Sequence, residues 1–407
     1  FQDEQLDLLI RTALDENKDL GIALSRIEEA RLTVTAVRAN QFPFLDITGF
    51  GGRERQSREL VPGARSDDRF LLAGDLSYQV DLWGQYSRAT EAARARLLAS
   101  ESAYRTVTIS LVSQVANTYL LLRDLDNRLV VAEDTLKTRL DSLEIIQARF
   151  DKGTVPELDI YQAQIEVAVA ETAIAAFQRQ IVQTENALRI LLGRNPGPVA
   201  RGDSLASQTF PPAVPTGLPS ELLQRRPDVV QAEAELMAAT ATVGVAEALR
   251  YPSISLTGSY GVESTDLSDL NSDRADTWGF GANLFAPIFN SGQLKAQAEA
   301  ARERAEQAML SYESTLQQAF REVEDALVAV RTYYDETQAQ TRRAKAAQSA
   351  AMLSRARYDG GVVDYLEVLD SERTLFNAQL EQSQTLQLYF NAIVRLYAAL
   401  GGGWPVE

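Results

Sequence analysis

The stretch QLKAQAEAARERAEQAMLSYESTLQQAFREVEDALVAVRTYYDETQAQTRRAKAAQSAAMLSRARYD, Gln293 to Asp359, decides the fold. Gly292 and Gly360 bound it, and its 67 residues hold neither glycine nor proline, the two residues that interrupt helices. Apolar or small residues recur at steps of three and four, among them Leu294, Ala298, Ala301, Ala305, Leu316, Ala319, Val323, Leu327 and Val330. That spacing is the seam of a helix packed on other helices. At about 1.5 Å per residue the helix is roughly 100 Å long, wider than a compact domain, so the reading is of an elongated molecule.

The same object occurs twice. Gln85 to Lys152 is a second run free of glycine and proline, between Gly84 and Gly153. Gly84-Gln85 matches Gly292-Gln293, and Ala148-Arg149-Phe150-Asp151 matches Ala356-Arg357-Tyr358-Asp359 at the same offset of 208. Leu158 maps onto Leu366, Leu192-Gly193 onto Leu400-Gly401, and Phe42-Pro43 onto Tyr251-Pro252. The expectation is an internal duplication with repeats over 1–208 and 209–407. Each repeat comprises a leading helix, a β-hairpin (42–83 or 252–290), a long helix (84–152 or 292–359) and a return helix (156–192 or 364–400). The leading helix of the first repeat reads as one element from about Leu6 to Asn40.

Composition narrows the chemistry. The chain has 407 residues, with 56 acidic against 40 basic, a balance that argues against nucleic acid. It has no cysteine and no histidine, which removes thiol and imidazole catalysis and the usual zinc, haem and iron–sulfur ligands. No cofactor is expected. No run of about 18 apolar residues exists to cross a membrane as a helix. Glu322, Glu324 and Asp325 read as a solvated helix face rather than an acid–base site. Arg201-Gly202-Asp203 reads as a chance match to an adhesion tripeptide, and Gly401-Gly402-Gly403 lacks the strand-to-helix setting of a phosphate loop. The proline-rich segment Gly193 to Pro219 reads as a linker between the halves.

Between helices the period changes from 3.6 to 2. Leu72, Gly74, Leu76, Tyr78, Val80 and Leu82 alternate with Ala73, Asp75, Ser77, Gln79 and Asp81. Ile254, Leu256, Gly258, Tyr260 and Val262 alternate with serine, threonine and glycine, and Trp278, Phe280, Ala282, Leu284, Ala286 and Ile288 form a third apolar face. Leu45 and Ile47 open a noisier strand. Strands of about ten residues with one apolar face suit a tilted membrane strand. A soluble sheet with one buried face is the alternative, and the flanking helices are far too long to cover two short hairpins. Four strands cannot close a barrel and open edges are not tolerated in lipid, so a membrane reading demands several chains. Three chains give twelve strands, wide enough for a lumen.

These features together resemble the TolC-like outer membrane factors, nearest their drug-efflux branch with NodT-like lipoproteins. The matching residues are the duplication, Leu76-Ser77-Tyr78-Gln79-Val80-Asp81-Leu82-Trp83-Gly84, Arg357-Tyr358-Asp359-Gly360-Gly361, Asp364 to Asp370, and the Leu-Gly-Gly-Gly-Trp ending. The resemblance implies a mainly α chain with a membrane β-barrel. Its long helical hairpins form a trimeric α-barrel continuous with a twelve-stranded β-barrel, four strands per chain. It implies an outer-membrane exit duct of a Gram-negative bacterium, extending into the periplasm. Its partners would be a periplasmic adaptor and an inner-membrane pump, its cargo drugs and other small toxic compounds. A type I protein-secretion channel and a soluble coiled-coil scaffold are the alternatives. Branch members often carry an acylated N-terminal cysteine, which would lie ahead of Phe1. The TolC type has an arginine just after the helix turn, where this chain has Val363.

Three sets of site residues follow. Glu367 and Asp370 share a helix face just after the tip. They satisfy a helix-start preference for acids, and in a trimer they would also converge as six carboxylates at a narrow opening. With the resemblance they read as a periplasmic gate, Leu366 as its apolar constriction and Asp159 as a second carboxylate ring. The repeated turns Gly153-Thr154-Val155 and Gly361-Val362-Val363 read as adaptor-docking tips. Leu76, Tyr78, Tyr260, Trp278, Phe280 and Leu284 read as lipid-facing. No catalytic residue is expected.

Overall fold

The computed structural model describes residues 3–55, 57, 59, 66–208 and 226–402. Its elements are α1 (Glu4–Glu16), α2 (Lys18–Ala39), β1 (Phe44–Glu54), β2 (Asp67–Val80), α3 (Gln85–Asp151), α4 (Glu157–Leu191), α5 (Pro227–Ala248), β3 (Ser253–Ser264), β4 (Asp276–Phe285), α6 (Gln293–Asp359) and α7 (Tyr365–Ala399). Single 3-10 turns sit at Leu205–Ser207 and Leu267–Asp269. The long helices α3 and α6 each have 67 residues, and the return helices α4 and α7 each have 35. No described helix is long and apolar enough to cross a membrane.

The chain divides into two compact units, one of Phe1–Leu24, Ala103–Val230 and Thr315–Glu407, the other of Ser25–Ser102 and Gln231–Ser314. In the second unit all four strands form one antiparallel sheet, β1-β2-β3-β4. Asp81 follows β2 and caps the next helix, accepting from Tyr86 N at 3.2 Å and Ser87 N at 2.8 Å. Gly84 makes that corner at φ +76°. Trp83 stacks on Tyr251 at 4.8 Å and donates to Pro252 O at 2.7 Å. Those contacts account for the sequence from Asp81 to Gly84. The helices here meet through buried alanines such as Ala92, Ala93, Ala234, Ala238, Ala298 and Ala301, which let backbones approach closely.

The first unit has two principal cores. The larger packs Leu6, Leu9 and Ala13 of α1 on Val115, Tyr119 and Leu122 of α3 and Phe390 of α7. Asp3 caps α1 and also accepts from Tyr119 Oη at 2.9 Å and Gln208 Nε2 at 2.8 Å. Burial opposes ionisation of Asp3, but these hydrogen bonds hold its carboxyl below the usual range. Burial and then Asp3 push the Tyr119 hydroxyl up to about 12. Gly202 N donates to Tyr119 Oη at 3.0 Å, and a Cβ there would stand 2.3 Å from Asp3 Oδ1. Arg201 meets Asp126 at 3.1 Å and Glu185. The Arg201-Gly202-Asp203 tripeptide therefore fastens the linker to the helices. Pro211, Pro212, Pro215, Pro219, Gly403 and Trp404 lie outside the described residues.

Two boundaries differ from expectation. The leading helix breaks at Asn17, whose backbone is extended and whose Oδ1 accepts from Leu20 N at 3.0 Å, capping α2. Its Nδ2 donates to Leu191 O at 2.8 Å, so tertiary contact overrides a continuous helical pattern. The last strand stops at Phe285, short of the expected Ile288, because Pro287 offers no ladder donor.

Candidate functional site: the sheet face and the helical tip

Register fixes the two faces of the sheet. Leu45 pairs with Leu76, Leu76 with Gly258, and Gly258 with Phe280; Ile47, Gly74, Tyr260 and Trp278 form a second row. Tyr78 lines up with Leu256 and Ala282, and Val80 with Ile254 and Leu284. Side chains directly opposite share a face, so the six residues read as lipid-facing occupy one face with Leu45 and Ile47. Phe280, Tyr260, Leu284 and Trp278 are 84, 72, 71 and 67 % exposed. The other face carries Asp46, Thr48, Asp75, Ser77, Gln79, Ser255, Thr257, Ser259, Thr277 and Asn283, and Thr48 donates to Asp75 at 2.6 Å. Phe44, Phe50, Leu71 and Phe285 are the large apolar side chains on that face. Neither β1 nor β4 has a partner on its outer edge among the described residues.

At the tip the two turns have one geometry. Gly153 and Gly361 both take φ +71°. In the first turn Gly153 N bonds Phe150 O and Thr154 N bonds Arg149 O; Gly361 N and Val362 N repeat the pattern to Tyr358 O and Arg357 O. This is the glycine-terminated helix end, which the left-handed backbone makes possible. The side chains that follow diverge. Val155 and Val363 pack on a cluster of Ile146, Ile160, Ala163, Tyr358, Tyr365, Val368 and Leu369, whereas Thr154 and Val362 are exposed.

Leu366, Glu367 and Asp370 stand together on the exposed face of α7. Glu367 is not a free carboxylate, since Arg357 Nη1 donates to it at 2.8 Å. Asp159 differs from its counterpart Glu367. It is half-buried, and burial and then the Asp364 carboxylate raise its pKa.

The sequence reading missed the ties between the hairpins. Arg149 of α3 meets Asp359 of α6 at 3.2 Å and lies 4.6 Å from the Tyr358 ring centroid. Arg355 reaches Ser142 Oγ at 2.6 Å and Glu372 at 3.7 Å. Glu166 is held by Arg139 at 2.9 Å and Arg373 at 2.5 Å, in a site where its side chain is 5 % exposed. Burial lowers the pKa of Arg139 and raises that of Glu372. The repetition of Arg149 at Arg357 was visible, but its two different partners were not. Glu322, read as solvated, accepts from the buried Arg226 at 2.8 Å. No group of acids among the described residues could hold a metal ion.

The outer membrane efflux protein family matches residues 9–194 and again 218–402. The solvent efflux pump outer membrane protein SrpC of Pseudomonas putida is 38 % identical over 410 aligned positions, covering 100 % of this chain and 87 % of that protein. The cation efflux system protein CusC of Escherichia coli O157:H7 is 35 % identical over 408, covering 99 % and 87 %. A crystal structure of a membrane protein from Pseudomonas aeruginosa superposes with a TM-score of 0.92 at 35 % identity, covering 98 % and 91 %. The fold class is therefore that of a trimeric α-barrel with a β-barrel, each chain giving four strands and two long hairpins. The protein resides in the outer membrane of a Gram-negative bacterium, with its helical portion periplasmic. The chain belongs to the outer membrane efflux protein family, as an efflux channel.

Proposed function

We propose that three copies of this chain form the exit duct of a tripartite efflux system. The duct takes drugs and other small toxic compounds from an inner-membrane pump and periplasmic adaptor to the outside. It conducts rather than catalyses, and it needs no cofactor. The observation that carries this reading is the sheet, apolar on one face, mostly polar on the other and, among the described residues, unpaired at both edges. In lipid such edges must be paired by neighbouring chains, and twelve strands leave a lumen. The double family match supports reading 1–208 and 209–407 as duplicated repeats.

Within the duct, Leu76, Tyr78, Tyr260, Trp278, Phe280 and Leu284 face lipid, and Leu366, Glu367 and Asp370 line the periplasmic gate. Asp159, half-buried beside Asp364, adds a second carboxylate to the gate, and burial and then Asp364 raise its pKa. The turns around Gly153 and Gly361 dock the adaptor through Thr154 and Val362, with Val155 and Val363 bracing them from within. The test is expression in a Gram-negative host lacking its own channel, with the cognate pump and adaptor. Restored drug efflux from an outer-membrane trimer is expected. A monomer in the soluble fraction overturns the reading.

A further inference from the structure

The end of α7 meets the start of α5 where Arg226 Nη1 donates to Ala399 O at 2.9 Å, satisfying one of the last carbonyls of α7. The long helices α3 and α6 run past this break, and together the four elements line a cavity of about 560 Å³. That volume suits a drug-sized molecule. Small side chains leave the space, among them Ala326 and Ala329 on α6 and Ala392 and Ala398 on α7. All the lining residues belong to the first compact unit.

Two lining side chains are unsatisfied. Asn117 Oδ1 of α3 and Asn391 Oδ1 of α7 are buried, and neither accepts a hydrogen bond among the described residues. A buried acceptor without a donor is uncommon and costly, so two in one cavity call for a donor from outside the chain. On α3 the stripe of Ser110, Gln114 and Asn117 faces away from Val115 and Tyr119, which belong to the larger core. Asn117 therefore serves the cavity and not the packing of the helices.

Charge sets the sign of that donor. Three carboxylates line the cavity, Asp228, Glu322 and Asp325, against two guanidinia, Arg226 and Arg395. Arg226 is buried and already committed to Asp228 and Glu322. Asp325 is exposed, with Arg321 3.9 Å away, and Arg395 is exposed without an ion-pair partner among the described residues. Tyr333 adds an aromatic ring to the wall, a surface that attracts cations. We propose that this cavity binds an organic cation, a compact and partly apolar body whose N–H groups donate to Asn117 Oδ1 and Asn391 Oδ1. The site lies within one chain, so it stands apart from the trimer reading.

The probe is proflavine, a fluorescent planar cation with N–H donors, titrated into the purified protein in lipid nanodiscs and followed by fluorescence anisotropy. Saturable binding is expected, and fluorescein, an anionic dye, should not compete. Asn117→Leu with Asn391→Leu removes both acceptors at little change of volume and should weaken binding about tenfold. Ala329→Trp, which fills the cavity, should abolish it. Arg395→Glu alters only an exposed charge at the rim and should tighten binding several-fold, and it carries the test where a lowered thermal midpoint shows that the other variants misfold. No saturable binding by the folded wild type overturns the proposal. So does binding unchanged by the paired asparagine substitution and by Arg395→Glu, or fluorescein competing as well as proflavine. Binding by isolated monomers that is lost in the trimer also overturns it, since the neighbouring copy would then be the occupant.

Discussion

Glu166 is the residue on which the two hairpins converge, because one buried carboxylate answers both the buried Arg139 and the half-exposed Arg373. Removing the carboxylate strands the buried Arg139 guanidinium. Glu166→Ala should therefore cost about 3–5 kcal/mol, read as a lower thermal midpoint in detergent. Glu372 works in the opposite sense. Burial raises its folded-state pKa above its ordinary 4.5, partly offset by Arg355 and Arg139. Its contribution to stability is fully present below the unfolded value and is lost as pH rises through the raised folded value. Glu372→Gln should raise the midpoint at pH 7 and flatten its rise on acidification toward about pH 4.5. The shift should be a few degrees, since 1 kcal/mol moves a unit of this size by roughly 2–4 °C.

At the scale of the element, strand and turn each have a test. Leu284 lies on the apolar face of β4 and Asn283 on the polar one. Leu284→Lys should cost about 2–4 kcal/mol in a bilayer unfolding assay, and Asn283→Lys should be tolerated. Equal cost at both positions would remove the lipid-facing assignment. In the turns, Gly153→Ala with Gly361→Ala puts side chains at φ +71° and should cost about 1–2 kcal/mol per site. Docking is probed by Thr154→Glu with Val362→Glu, the exposed pair, rather than at Val155, which packs on the tip cluster. That variant should lose drug efflux while its trimers stay in the outer membrane, and unchanged resistance would end the docking proposal.

For the whole molecule the question is what sets the field at the periplasmic opening. Glu367 and Asp370 alone would give six negative charges in a confined opening, attracting cations and binding divalent ions. Arg357 changes that sum by pairing with Glu367. Planar-bilayer recording should therefore show Glu367→Ala with Asp370→Ala losing cation preference and divalent block. Arg357→Ala should strengthen both by freeing Glu367. Leu366→Ser should raise baseline conductance instead, by removing the apolar constriction proposed for it. Selectivity untouched by the two charge variants, with conductance untouched by Leu366→Ser, would place the gate elsewhere.

The 67-residue runs, the period-2 strands and the equivalence of Arg149 with Arg357 are local or repeated patterns, so helices, hairpins and their pairing in the chain could be read directly. The faces of the strands followed for the same reason, since a period of two admits one choice once a partner is fixed. What adjacency in sequence cannot carry is the direction of a long side chain and the company of a buried charge. Arg149 crosses to Asp359 while Arg357 turns back to Glu367, although both occupy the same place in the repeat. Val155 and Val363 turn into the tip core while Thr154 and Val362 remain outside. Asn17 breaks a helix that its neighbours would continue, because its amide finds Leu191 O, 174 residues away. Each of these depends on which helices the core brings together, a free energy summed over contacts distant in the chain, and only the tertiary structure decides it.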